Sequence, residues 1–73
     1  MKENIIAIIS SVSKKSELEI NQQLESKNLW DSFSHLELVL VLEEKFGIIF
    51  EAEEISEMVT PYLVIKKVEE KIK

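Results

Sequence analysis

Ile5, Ile8, Ile9 and Val12 recur at steps of three and four, the spacing that gathers side chains on one face of a helix. The same spacing returns in Ile65, Val68 and Ile72 near the other end of the chain. One glycine and one proline in 73 residues leave little with which to punctuate strands and hairpins. A chain this short has only one core to build, and this one must build it from helices.

The first stripe predicts a helix over about residues 2–13. From Lys14 to Trp30 the period is lost and Ser16, Asn21, Ser26 and Asn28 enter, with Leu18, Ile20, Leu24 and Leu29 as scattered anchors. That stretch reads as a long loop pinned to the core, with room for a helical turn. Asp31 then suits an N-cap, because its carboxylate can accept from N–H groups that have no partner in a first helical turn. A second helix is expected over residues 32–46, closed by Gly47 in the left-handed conformation. Its Leu36, Leu38, Val39, Leu40, Val41, Leu42 and Phe46 are too many for one inner stripe, so some must face outward.

Ile48, Ile49 and Phe50 favour a strand by propensity, but a lone strand has no partner, and an extended connector is expected. A brief helix follows near residues 53–58. Thr60 and Pro61 form an N-cap and first-position pair, with Val59 and Val64 spaced as a hydrophobic staple. In the last helix Ile65, Val68 and Ile72 form the inner stripe, and Lys66, Lys67 and Lys71 are expected to face water. The fold class is all-α: a bundle of three longer helices and one short one, with a long loop between the first two, as a single domain over residues 1–73. No internal repeat or low-complexity tract interrupts it.

A net charge of −5 with no arginine argues against nucleic acid, which requires clustered cations. From Asp31 to Glu57 eight acids stand against Lys45 alone, a net −7 that leaves +2 for the rest of the chain. Such asymmetry predicts basic partners approaching one side. Without cysteine there is neither a disulfide framework nor a thiolate metal site. Glu51, Glu53 and Glu54 lack the alternating acids and central glycine of a calcium loop, and no metal site is expected. Residues 5–9 are apolar but too few to span a bilayer. A monomer in the cytoplasm, not inserted in a membrane, is the expectation.

The run from Leu29 to Phe46, Leu-Trp-Asp-Ser-Phe-Ser-His-Leu-Glu-Leu-Val-Leu-Val-Leu-Glu-Glu-Lys-Phe, resembles the acyl carrier protein family. The resemblance continues without a gap to about Ile72 and takes in Leu38, Leu42-Glu43-Glu44, Phe46-Gly47-Ile48 and the Thr60 helix start. The first thirty residues fit only loosely. The resemblance implies an acyl-carrier-like bundle in which Ser32 bears a covalent 4'-phosphopantetheine arm taken from coenzyme A by a phosphopantetheinyl transferase. Acyl groups would ride on the arm's thiol as thioesters, so the protein presents the chemistry and does not perform it. By the same resemblance Asp31, Phe33, Glu37, Leu40, Glu43 and Glu44 meet basic docking patches on acyl-loading and acyl-processing enzymes. Leu42, Ile55, Met58 and Val64 would line an acyl pocket, though ordinary core is their other reading.

Phe33 stands where the family usually has leucine, Ser34 where an acid is common, and Trp30 where a small residue is frequent. These departures favour a dedicated biosynthetic pathway over housekeeping fatty acid synthesis. Cargo other than a fatty acyl group, such as an aminoacyl group, or an acidic adaptor without prosthetic group, are the other functional readings. An enzyme would need Ser32 and His35, three apart, with Asp31 or Glu37 as orienting acid. The glycines of a nucleophile elbow and any sign of an oxyanion hole are absent, so no catalytic role is expected.

Overall fold

A computed structural model describes residues 1–72 and contains five helices and no strand among them. Helix α1 spans Lys2–Ser13, α2 Glu17–Gln22, α3 Ser32–Phe46, α4 Ala52–Glu57 and α5 Pro61–Ile72. The expected long helices are therefore present, and the stretch after α1, expected as a long loop with room for a helical turn, contains a six-residue helix. Helix α2 forms because Ser16 is an N-cap: its hydroxyl accepts from the Glu19 N–H at 3.1 Å. Ile20 is buried as an anchor, whereas Leu18 is 68% exposed and anchors nothing.

Helix α1 lies against α2, α3 and α5. Ile5, Ile9, Ile20, Leu38, Leu42, Met58, Val64 and Val68 are fully buried where these elements meet. Lys14 closes α1 in the left-handed conformation, its N–H donating to the Ser10 carbonyl. Gly47, at φ 65°, closes α3, and both Gly47 and Ile48 donate to the Glu43 carbonyl.

The first turn of α5 shows how connectors are held. Pro61 has no N–H to satisfy, the Leu63 N–H donates to the Thr60 hydroxyl at 3.1 Å, and the Tyr62 N–H reaches the Leu24 carbonyl at 2.7 Å. Every donor of that turn has its place, and the last of these bonds ties the segment after α2 to the start of α5.

Residues 48–50 form neither helix nor strand and are held at Phe50. The Phe50 N–H donates to the Glu43 carboxylate at 2.8 Å, and the Lys71 ammonium stands 5.7 Å from the centre of the Phe50 ring. Lys71 also pairs with Glu54 at 2.7 Å, and Lys67 lies within 4.0 Å of Glu57 and 3.6 Å of Glu70. Two of the three lysines expected to face water are thus half-buried: they join α5 to α4 while their stems cover apolar surface. Glu54 also accepts from the Glu51 N–H at 2.8 Å, and this bond, then Lys71, holds its carboxyl below the ordinary glutamate value. The inner stripe of α5 is Val64, Ile65 and Val68; Ile72 lies at the end of the helix and is exposed.

Urea unfolding tests this account. Leu42→Ala should cost about 2–5 kcal/mol through the cavity it leaves, Thr60→Ala about 1 kcal/mol through loss of the cap, and Leu18→Ala less than about 0.5 kcal/mol.

Candidate functional site

Asp31 starts α3 by accepting from the Ser34 N–H at 2.8 Å through its carboxylate and from the His35 N–H at 2.9 Å through its carbonyl. Among the described residues the N–H groups of Ser32 and Phe33 have no protein acceptor. Ser32 is the first residue of the helix and is exposed. Its hydroxyl therefore stands where two unsatisfied donors and the positive end of the helix dipole favour an anion. The Asp31 carboxyl is held below its ordinary value by hydrogen bonds from Ser34, the backbone N–H first and the side chain second.

The surplus hydrophobes of α3 face outward. Phe33 is 78% exposed, Leu40 66% and Leu36 58%, with Val41 also open to solvent. Asp31, Glu37 and Glu44 are exposed beside them. Glu43 differs: it is half-buried, and its carboxylate holds the Phe50 N–H. Such a side chain supports the connector whatever else it meets.

A groove of about 600 Å³ opens beside Ser32 between the start of α3 and α4. Trp30, Leu36, Ile55 and Val59 give it apolar walls, and Asn28 and Ser56 add polar groups. Asn28 takes φ 64° there, a left-handed turn that asparagine tolerates better than most residues. Of the four residues expected to line an acyl pocket, Ile55 borders the groove, while Leu42, Met58 and Val64 are fully buried and do not. A second, smaller cavity of about 270 Å³ lies between α1 and α3, against Ile8, Val12, Glu37 and Val41.

His35 lines the groove and is not a solvated helix residue. It is half-buried, and both ring nitrogens are engaged. An indole N–H can only donate, so the 2.9 Å bond from Trp30 Nε1 makes His35 Nδ1 the acceptor. The proton then sits on Nε2, which donates to the Ile55 carbonyl at 2.7 Å. The indole and imidazole planes differ by 9° with centroids 6.2 Å apart, so the rings lie edge to edge around that bond and are not stacked face to face. No bond joins His35 to the Ser32 hydroxyl among the described residues. The pair signalled itself in the sequence only as Trp and His five apart, with Trp30 just ahead of a capping aspartate.

Glu51, Glu53 and Glu54 do not converge: Glu54 is taken up by the Glu51 N–H and Lys71, and the described residues contain no group of three or more acids and histidines placed to hold a metal ion. No helix is long and apolar enough to cross a membrane among those residues. The chain matches no protein-family model, and no curated protein matches it.

The cap makes a pH prediction. A carboxyl with a lowered folded value stabilises the protein fully above the ordinary carboxylate range, and that contribution is lost as pH falls through the lowered value. The Ser34 amide resonance should follow Asp31 with a midpoint below that of an unstructured aspartate, and Asp31→Asn should abolish the transition. A midpoint at or above the unstructured value would contradict the cap.

Proposed function

We propose that this protein is a carrier of the acyl carrier type, with Ser32 as the attachment point of a phosphopantetheine arm. One observation carries the reading: an exposed hydroxyl at a helix start, without a base of its own, opens onto a groove large enough for a small ligand. The resemblance of residues 29–72 to that family supplies the identity of the group. The described arrangement suits it, since a phosphodiester on Ser32 would meet two free N–H donors at the positive end of α3. The arm's thiol supplies thioester chemistry when bound; the chain itself holds, orients and presents.

The lack of an activated nucleophile fits this division of labour. His35 is occupied on both nitrogens, so the base that removes the Ser32 proton has to come from the transferase. The serine oxygen would form a bond to the β-phosphorus of coenzyme A, the pyrophosphate P–O bond would break, and adenosine 3',5'-bisphosphate would leave. The transferase takes the serine proton.

Partner enzymes would grip α3. Phe33 and Leu40 offer apolar contacts that the core does not claim, and Asp31, Glu37 and Glu44 surround them with negative charge. Glu43 contributes to that field while fastening residues 48–50. The bundle is read as the acyl carrier arrangement with one added short helix, α2. The departures at Trp30, Phe33 and Ser34 favour a dedicated pathway, with fatty or aminoacyl cargo equally compatible with the arm.

Incubation with coenzyme A, magnesium and a broad-specificity phosphopantetheinyl transferase should raise the intact mass by one phosphopantetheine, and Ser32→Ala should abolish the gain. An unmodified wild-type protein would leave the acidic adaptor as the better reading. Charge reversal at Glu37 and Glu44 should slow modification about tenfold at low ionic strength, with the effect shrinking as salt rises. Equal rates at every salt concentration would remove the acidic face from the account.

A further inference from the structure

The groove beside Ser32 stops short of the core. His35 and Ile55 both line it, and the bond from His35 Nε2 to the Ile55 carbonyl ties α3 to α4 there. Trp30 holds the imidazole from the other side, so the ring is fixed by two hydrogen bonds in opposite directions. Beyond it Leu42, Met58 and Val64 are fully buried and packed against one another's elements, and none of them borders the groove.

From this geometry we infer that the cargo is a short acyl group: arm and cargo lie together in the groove against Trp30, Leu36 and Val59, and the Trp30–His35–Ile55 bridge bars longer chains from the core. The inference rests on the carrier reading and adds a substrate class to it. Ser32 itself lines the groove, which makes a group tethered there its nearest occupant. Its volume of about 600 Å³ must take the folded arm as well as the cargo. Asn28 and Ser56 give the arm's amides polar neighbours, and the apolar walls suit a few methylene groups. A longer chain would have either to break the His35 bond, and with it the side-chain tie between α3 and α4, or to remain in water.

Trp30 is the only tryptophan, so its emission reports on the groove. The protein is loaded with butyryl- or octanoyl-phosphopantetheine from the matching acyl-coenzyme A, with loading verified by intact mass, and thioester cleavage by hydroxylamine is compared with that of the same free acyl-coenzyme A. Butyryl should shift Trp30 emission and be cleaved about fivefold more slowly than its free counterpart, and octanoyl should do neither. His35→Ala should open the path and slow octanoyl cleavage about tenfold. Leu36→Ser, at an exposed position that leaves the helices intact, should abolish the butyryl protection and tests the seat even if the histidine variant does not fold. Octanoyl protection in the wild type, no gain of it in a folded His35→Ala, or butyryl protection that survives Leu36→Ser would each overturn the inference while leaving the carrier reading intact. Failure to gain mass at all would remove both.

Discussion

Both ring nitrogens of His35 are taken up by the fold, and the surroundings of Ser32 follow from that. An imidazole that accepts from Trp30 and donates to the Ile55 carbonyl joins the segment before α3, the first turn of α3, and α4. Trp30 and Ile55 are half-buried, and removing the ring would leave Trp30 Nε1 without its acceptor and cut the side-chain tie from α3 to α4, although the Ile55 carbonyl would keep the Met58 N–H as a donor. The same two bonds keep the ring from acting on Ser32. A serine that would need activation for catalysis is left as a plain hydroxyl, available for modification by another protein.

The acidic half of the chain is divided between two duties. Asp31, Glu37 and Glu44 are open to solvent on or beside α3, where a basic partner could meet them. Glu43 and Glu54 work inward: one holds the Phe50 N–H, the other the Glu51 N–H and Lys71, which in turn covers the Phe50 ring. The connector between α3 and α4 is thereby fastened where it enters α4. The helix it leads into, α4, supplies Ala52, Ile55 and Ser56 to the wall of the groove. A charge change at Glu43 would therefore disturb position as well as field, which is why Glu37 and Glu44 are the cleaner probes.

The helices with a strong apolar period were legible from their residues, as were the Asp31 and Thr60 caps and the Gly47 stop, because each rests on a local pattern and a local hydrogen bond. Helix α2 was less so: six residues with Ile20 as their one buried side chain give too little period to recognise, and the Ser16 cap alone decides the matter. That some hydrophobes of α3 turn outward followed from counting them, but which of them do so depends on the rotation of that helix against α1. The duties of Lys67, Lys71 and His35 were hidden because their partners come from other elements. His35 reaches Ile55 across twenty residues, and nothing local in either segment marks that bond.

The central claim concerns Ser32, and the protein as its own cells make it gives the most direct test. Proteolysis of that material and mass analysis of the peptide containing Ser32 should find the serine bearing phosphopantetheine, recognisable by release of the pantetheine fragment. A Ser32 peptide that is unmodified under every growth condition in which the protein is made would contradict the account.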